Sequence, residues 1–582
     1  MIKYICHNCN DLECETSICP NCHNKTDVLE SKVFWCDHCN APCYDEVCSK
    51  CGNKTYYIGR DLRPVFPEER LLLEVLFGEP FKFANGSLWN VGSNYYVYNG
   101  EKKSFPYKKW RETINPDYVI EELEKHKEEN QKYIDSFYES NGIKNFIEIN
   151  KGHLNEIVYE AVKYVRDLTA DKPEDEMFVS FSGGKDSTVT SHLVMEALPN
   201  KTIIHIYGDT TLEYPTSKDY ITRFRMNNSN VPVLTAKNKD QDFNNLCEVI
   251  GPPSRMMRWC CTIFKTGAIT KKIDSTFKDS KKLYAFQGIR RSESAARSKY
   301  ERSSNDSKIK KQIAINPIID WLDFDVWLYI LTNKIDFNDA YRLGFSRVGC
   351  WCCPNNSAWS EFLSAIYMPD KYKTFRNILY KFAENIGKPD WKVYVDDGEW
   401  KKRQGGNGLK ISRNSVVSFK PCALEENTLN FELTKPLNED FYTFFKPLGK
   451  LNFDIGKKTI NEVYVLDRKT NQPLLRITGR LGQNIVKIAI VGQLPRSNSK
   501  KIDEMYLKNQ INKFQTCIGC TYCEAVCKFD ALKVFNMEKG NVSNDTISYT
   551  INENKCVGCL ECVTHFPNGC YINKVLRIKK EE

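Results

Sequence analysis

The chain has 582 residues, enough for about three to five domains. At 41% hydrophobic and 27% charged it has ordinary globular composition, which excludes an intrinsically disordered protein, and its net charge of +9 permits an anionic partner without demanding one. No run approaches the roughly 18 apolar residues of a transmembrane helix, and the opening MIKYICHNCN lacks the apolar core of a signal peptide. The expectation is therefore a cytoplasmic chain with no membrane partner. Cysteine is the informative residue. There are 25, an odd number, gathered into tight clusters with Cys-poor stretches between them, the pattern of metal and iron–sulfur ligation and not of a disulfide scaffold.

Residues 1–58 hold an internal repeat, YICHNCNDLECETSICPNCHNKT followed by FWCDHCNAPCYDEVCSKCGNKT, and each copy carries two Cys-x2-Cys knuckles. Cys6, Cys9, Cys19 and Cys22 form the first set and Cys36, Cys39, Cys48 and Cys51 the second. Paired knuckles present four sulfurs to one metal, and a segment this small needs a metal to fold. The stretch resembles a double zinc ribbon, which implies two structural Zn2+ sites; Cys14 and Cys43 are spare thiols able to exchange in as ligands. A docking surface for a partner is the alternative role. Residues 60–170 are expected to form a small β unit, around SLWNVGSNYYVYNG, and then a charged helical connector, around DYVIEELEKHKEENQKYIDSF.

From 171 to 400 strand and helix alternate. MFVSFS, KTIIHIYGD, VPVLTAK and KLYAFQGIR read as buried strands and STVTSHLVMEAL as a helix, so the fold class is α/β with a doubly wound parallel sheet. Ser182-Gly183-Gly184-Lys185-Asp186-Ser187 lies between strand and helix, where amide groups and the helix dipole attract phosphate. The spacing is not of the Walker type. It resembles the PP-loop of the ATP pyrophosphatase superfamily. Three further segments resemble the phosphoadenosine phosphosulfate (PAPS) reductase family within it: Gly208-Asp209-Thr210-Thr211-Leu212-Glu213-Tyr214-Pro215, then Gly288-Ile289-Arg290-Arg291-Ser292-Glu293-Ser294 with Arg297, and NPIIDWLDFDVWLYI, whose Trp321 and Trp327 are expected in the core. The resemblance implies an adenine nucleotide substrate, ATP or adenylyl sulfate (APS) or PAPS. Ser182, Gly183, Gly184, Lys185, Asp186, Ser187, Asp209, Thr210 and Gly288 would bind it. Lys185, Asp186, Arg290, Arg291 and Arg297 would act on it, the arginines gripping sulfate or phosphate.

Cys260-Cys261 in RWCCTIFK, with Cys350 and Cys353 in GCWCCP, resembles the four-thiolate [4Fe–4S] site of APS reductases. A structural zinc tolerates the same sulfurs and is the alternative. Cys352 is expected to be a non-ligand, and Arg258 and Lys265 flank the tandem pair. Residues 401–505 open with the basic loop KKRQGGNGLK and form an α/β or β-rich accessory domain without an assigned role. In 506–582, Cys517, Cys520, Cys523 and Cys527 follow the bacterial ferredoxin spacing, with Lys528 in place of the usual Pro. Cys556, Cys559 and Cys562 begin a second copy; Phe566 occupies its fourth position and Cys570 arrives late. Because each fourth Cys of a two-cluster ferredoxin serves the other cluster, Cys527 joins Cys556, Cys559 and Cys562, and Cys570 is inferred to complete Cys517, Cys520 and Cys523.

A nucleotide site joined to a tethered ferredoxin module implies an iron–sulfur oxidoreductase that reduces a sulfonucleotide with electrons relayed from its ferredoxin domain, the donor to that domain being unassigned. Two features point elsewhere. The Glu-Cys-Gly-x-His setting of sulfonucleotide reductases is missing; Cys247 and Cys422 are lone thiols, expected to be buried and structural. The SGGKDS turn is also complete, as ATP cleavage requires. The alternative is an ATP-dependent sulfur transferase acting on tRNA or the DNA backbone, with nucleic acid held at KKRQGGNGLK and the ribbons. A nucleotide- and redox-sensing regulator is the third reading.

Overall fold

The computed structural model describes residues 4–6, 9, 12–14, 20–22, 27–28, 31–305, 309, 311–402, 418–536, 547–566 and 569–574. The chain divides into two compact units: residues 1–236, 276–352 and 356–372 form the first, and 237–275, 353–355 and 373–582 the second. No described helix is long and apolar enough to cross a membrane.

In the first unit, strands Ala41–Cys43, Val33–Cys36 and Tyr56–Gly59 make a small antiparallel sheet that carries the second knuckle pair. The sulfurs of Cys36, Cys39, Cys48 and Cys51 all lie within 4.8 Å of one another, with Cys36–Cys51 at 3.5 Å and Cys39–Cys48 at 3.8 Å. A tetrahedral Zn–S4 centre needs sulfurs about 3.8 Å apart, so this donor set fits zinc in number, spacing and chemistry. Burial pushes the Cys36 thiol up to about 11, whereas a backbone hydrogen bond from Asn53 draws Cys51 down to about 7. Cys43 is buried beside the set. In the earlier repeat, strands Leu12–Cys14, Tyr4–Cys6 and Asp27–Val28 pair, and Cys9 and Cys22 are half-buried. Cys19 and the side chains of Cys6 and Cys14 lie outside the described residues.

The second ribbon is clamped to the helix Asn141–Ile149. Ser49 Oγ donates to the Ile149 carbonyl (2.5 Å), Asn145 Nδ2 donates to the Cys39 carbonyl (2.6 Å), and Lys50 pairs with Glu148 (2.6 Å). Between ribbon and helices runs a four-stranded antiparallel sheet, Glu101–Ser104, Tyr95–Tyr98, Leu88–Asn90 and Arg63–Pro64. The charged helix Pro116–Ser136 starts where Pro sits in its first turn and the Asn115 side chain accepts from the Asp117 amide (3.0 Å).

The centre of this unit is a six-stranded sheet in the order Val233–Lys237, Ile204–Asp209, Met177–Phe181, Leu283–Gln287, Gln312–Ile315 and Ser303–Ser304. Met177–Phe181 runs parallel to Ile204–Asp209 and to Leu283–Gln287, which runs parallel to Gln312–Ile315; the edge pair with Ser303–Ser304 is antiparallel. Strands covered on both faces must be apolar nearly throughout. Accordingly Val179, Phe181, Phe286 and Ile315 share a core with Val189 and Leu193 of helix Lys185–Ala197 and with Trp327 and Ile330 of helix Asp323–Thr332. Trp321 and Trp327 are both buried.

The second unit contains another six-stranded sheet, Ser418–Pro421, Thr428–Glu432, Ile485–Ile490, Pro473–Thr478, Glu462–Leu466 and Lys450–Asn452, antiparallel throughout. Helix Lys500–Thr516 leads into the C-terminal Cys-rich module, whose strands Leu532–Asn536 and Ile547–Ile551 pair antiparallel. Residues 237–275 supply the helix Phe243–Ile250, a π-helical turn Cys261–Thr266 and the helix Gly267–Thr276. Cys247 is buried as expected, but Cys422 is only half-buried. It sits at the end of an edge strand, where backbone hydrogen bonds lower its thiol pKa. The loop KKRQGGNGLK lies outside the described residues beyond Lys402.

Candidate functional site

The strand Met177–Phe181 delivers the chain to a turn that only a glycine enters without strain, Gly183 having φ +73°. Helix Lys185–Ala197 begins immediately after it. Ser182 and Ser187 close the turn on itself: their hydroxyls are 3.1 Å apart, and Ser187 Oγ donates to the Gly184 carbonyl (2.8 Å). Asn338 Nδ2 donates to the Gly183 carbonyl (3.2 Å), and the Tyr341 hydroxyl accepts from the Lys185 amide (3.1 Å). Gly288 brings a second backbone against the helix start; a Cβ there would lie 2.5 Å from the Asp186 carbonyl carbon and 2.6 Å from the Ser187 nitrogen. The result is a rigid cradle at a helix N-terminus, at the carboxyl edge of a parallel sheet, the usual geometry for binding phosphate.

The charged groups of the cradle are buried and mutually paired. Lys185 Nζ contacts Asp186 (3.0 Å) and Asp323 (3.1 Å). Arg290 Nε donates to Asp186 (2.5 Å), and its other nitrogens reach Asp323 and Ser292. Lys185 and Arg290 are 4% and 3% exposed. Burial disfavours every one of these charges, and the pairing outweighs it: Asp186 and Asp323 are held below the ordinary carboxylate range, and Lys185 and Arg290 above their usual values. Arg291 is engaged with Asp320, and Arg297 with Glu293. The arginines grip the protein's own carboxylates, so an anionic ligand meets a preorganised ion network and not exposed guanidinium groups.

Three members of this network carry no motif in the sequence, and a fourth, Asp323, lies unmarked within NPIIDWLDFDVWLYI. Asp323 and Tyr341 reach the cradle from beyond the GIRRSES segment, and Asn338 braces the turn. Asp61 comes from between the ribbon and the small sheet: its carboxylate accepts from the Asp323 amide (2.9 Å) and the Phe324 amide (3.0 Å), capping the helix that carries Asp323. Burial and the neighbouring Asp323 push Asp61 up to about 7 against the pull of Arg290. In the unfolded chain an Asp titrates near 4, so between about pH 4 and pH 7 the folded protein binds more protons and loses stability as pH rises. Asp61→Asn keeps the shape and removes the titration. Unfolding of the first unit followed from pH 4 to 7 is expected to show that decline in the parent and its absence in the variant; equal slopes would contradict the assignment.

At the end of strand Ile204–Asp209, Asp209 accepts from the Thr211 amide (2.8 Å), and Thr210 donates to Glu213 through both its amide (3.0 Å) and its hydroxyl (2.6 Å). Glu213 bridges Cys350, whose Sγ is 3.6 Å from Thr210 Oγ1. Cys352 is buried. Cys353 belongs to the second unit, where Arg255 Nε donates to the adjoining Pro354 carbonyl (3.3 Å). Cys260 is half-buried and Cys261 exposed in that unit, with Arg258 and Lys265 exposed beside them.

The ferredoxin-type cysteines influence one another's ionisation. Burial and the charge of Cys570 are the leading influences that raise Cys517 and Cys520, with Cys523 contributing to both. Cys562 is pushed up to about 12 by burial and is also raised by Cys523, Cys527 and Cys559. Lys513, 1% exposed, lowers Cys517, Cys523 and Cys562, and its ammonium donates to the Cys562 carbonyl (2.5 Å). Eight cysteines in two groups of ferredoxin-type spacing are the donor number and type that two four-iron clusters take.

Comparison with known proteins accords with both halves of this description. Residues 176–356 match the phosphoadenosine phosphosulfate reductase domain, and residues 516–570 match a 4Fe-4S dicluster domain. The chain therefore contains a PAPS reductase-type α/β domain and a C-terminal ferredoxin-type domain. An uncharacterized protein of Methanocaldococcus jannaschii is 30% identical over 263 residues, 44% of this chain and 52% of that protein. A second from the same organism is 35% identical over 208 residues, covering 35% and 47%. The adenosine 5'-phosphosulfate reductase of Neisseria meningitidis is 39% identical over 98 residues, 16% of this chain and 36% of the enzyme. The chain thus spans about half or less of the length of these relatives. The crystal structure of a PAPS reductase from Candida auris aligns at 15% identity with a TM-score of 0.27, covering 34% of this chain and 95% of that one.

Proposed function

We propose that the chain is an iron–sulfur oxidoreductase that reduces an adenine sulfonucleotide, APS or PAPS. One observation carries the reading: the ferredoxin-type module packs, within one unit, against residues 237–275, which lie inside the PAPS reductase match. In this reading the amides of the 182–187 turn and the backbone at Gly288 bind the nucleotide phosphate. Asp209 and Thr210 border the nucleotide, and Lys185 with Arg290, poised by Asp186 and Asp323, balances its negative charge. Arg291 and Arg297, paired with Asp320 and Glu293 on the neighbouring loop, would meet the sulfate end by exchanging those carboxylates for it. Iron–sulfur clusters on the C-terminal cysteines, and a third held through the Cys260–Cys261 pair, supply single electrons when bound. The ribbons hold structural zinc. Two electrons and protons convert the bound sulfonucleotide into sulfite and the corresponding nucleotide, with cleavage of the sulfur–oxygen bond to the phosphate. Fusing the electron carrier to the nucleotide domain makes the transfer intramolecular.

A second reading, ATP-dependent thiolation of tRNA or DNA, is favoured by the complete SGGKDS turn and the missing Glu-Cys-Gly-x-His motif. Reconstituted, reduced protein incubated separately with ATP, APS and PAPS separates the two. Sulfite without pyrophosphate is the expected result. Pyrophosphate from ATP that requires an RNA or DNA acceptor would replace the first reading with the second.

A further inference from the structure

The ferredoxin-type module has two ends that differ in what covers them. Around Cys556 and Cys559 the surface is open: Val557 is 56% exposed, Phe529 is 45% exposed, and Cys556, Cys559 and Cys562 are half-buried. At the other end Cys520, Cys523 and Cys570 are buried behind an aromatic lid of Tyr522, Tyr571 and Phe566. Tyr522 and Tyr571 stack with ring centroids 4.4 Å apart and planes 19° from parallel, and Tyr522 meets Phe566 edge-on at 4.7 Å.

Beyond that lid, in the same unit, lies the segment that begins with Cys260 and Cys261. The Tyr522 hydroxyl shares a hydrogen bond with Thr262 Oγ1 (2.5 Å), one residue past the tandem pair. The backbone at Gly267 comes so close to the helix Tyr522–Val526 that a Cβ there would sit 2.8 Å from the Ala525 carbonyl oxygen. The Tyr571 phenol is within electrostatic reach of Cys520, Cys260 and Cys261. Three ion pairs frame the contact: Lys271–Asp530 at 2.5 Å, Lys528–Asp274 at 3.6 Å and Lys533–Asp240 at 3.5 Å. The turn that presents this surface, Cys261–Thr266, is π-helical, a local widening that frequently marks functional positions.

We propose that the module is a directional wire: electrons enter at the exposed Cys556–Cys559 loop from a low-potential one-electron carrier and leave from the Cys517/Cys520/Cys523/Cys570 end through the Tyr522–Tyr571 pair to the centre at Cys260–Cys261. This deepens the function proposed above and rests on it for the identity of that centre. Each transfer oxidises a reduced cluster of the module by one electron and reduces the acceptor centre by one. The tyrosines are packed matter that shortens the through-space gap; they are positioning residues and are not themselves oxidised.

The test uses the full-length, anaerobically reconstituted protein. Zero-length carbodiimide cross-linking is expected to join Lys271 to Asp530 whether or not the clusters are loaded; the absence of that cross-link would overturn the docking. Freeze-quench EPR after mixing with limiting dithionite then follows the arrival of the electron at the signal that Cys260→Ser and Cys261→Ser abolish. Lys271→Asp is expected to slow arrival about tenfold or more by loosening the dock, and adding Asp530→Lys to restore it. Tyr522→Leu is expected to slow it to a similar degree and Tyr522→Phe much less, all with unchanged iron content. Unchanged arrival in Tyr522→Leu and Lys271→Asp would overturn the route, as would the absence of any signal dependent on Cys260 and Cys261. Normal arrival without sulfite production would leave the wire standing and refute only the substrate.

Discussion

Arg290→Met is expected to destabilise the first unit by about 3–5 kcal/mol, the cost of leaving partners of a buried ion pair uncompensated. Arg290 is one of two buried cations facing Asp186 and Asp323, and methionine fills much of its volume without its charge. The remaining ammonium of Lys185 then faces two carboxylates in a site with little access to water. The loss has a pH signature. The lowered pKa values of Asp186 and Asp323 contribute stability above the unfolded carboxylate pKa near 4 that is surrendered as pH falls, so the deficit of the variant shrinks towards acid. Hydrogen exchange in helix Lys185–Ala197 reads this directly, with faster exchange at neutral pH and convergence with the parent at low pH. A variant as protected as the parent at pH 7 would show that the network contributes little.

Cys570→Ala is expected to abolish one of the two clusters of the C-terminal module and leave the other. Cys527 shares one spacing motif with Cys517, Cys520 and Cys523, yet the two-cluster ferredoxin pattern assigns it to Cys556, Cys559 and Cys562, with Cys570 completing the other set. In the folded chain Cys570 acts electrostatically on Cys517, Cys520 and Cys523, while Cys527 acts on both Cys523 and Cys562, so the two sets lie side by side. Cys570→Ala is therefore expected to remove the EPR signal that Cys517→Ala also removes, and Cys527→Ala the signal shared with Cys556, Cys559 and Cys562. Iron should fall by one cubane per chain in either variant. Loss of the same signal in Cys570→Ala and Cys527→Ala would contradict the cross-ligation.

Much of this architecture is legible before any coordinates, for reasons that are local. The SGGKDS turn needs only a strand, two glycines and a helix start, all contiguous, and the ribbon and ferredoxin spacings are written within a few residues of each other. The parallel sheet follows from apolar runs such as MFVSF and KLYAF alternating with helical stretches. What stays hidden is set by tertiary approach. Asp61 lies far from Asp323 in sequence, and nothing in its surroundings, GRDLRPV, marks it as the cap of that helix. The buried pairing of Arg290 is equally silent, because an arginine in a polar loop reads the same whether it faces a substrate or an aspartate. Residues 237–275 look continuous with the strands on either side, yet their apolar faces pack into the second unit; Phe243 with Phe375, and Gly251 with Phe382, are contacts no periodicity announces.

The ribbon near the N-terminus gains meaning from the same tertiary links. Its four sulfurs fix a sheet whose strand Tyr56–Gly59 is followed two residues later by Asp61. The four-cysteine set is thus tied through a short stretch of chain and Asp61 to the helix that positions Asp323, and through it to the nucleotide cradle.

The central claim is that electrons stored in the tail are spent on sulfur held at the Lys185 turn. The most direct measurement is a single anaerobic turnover in which pre-reduced protein, freed of excess reductant, is mixed with APS or PAPS while cluster oxidation and sulfite are recorded together. The account predicts one sulfite for each pair of electrons leaving the clusters, and no pyrophosphate. Clusters that stay reduced in the presence of both sulfonucleotides, while ATP is cleaved to pyrophosphate, would contradict it.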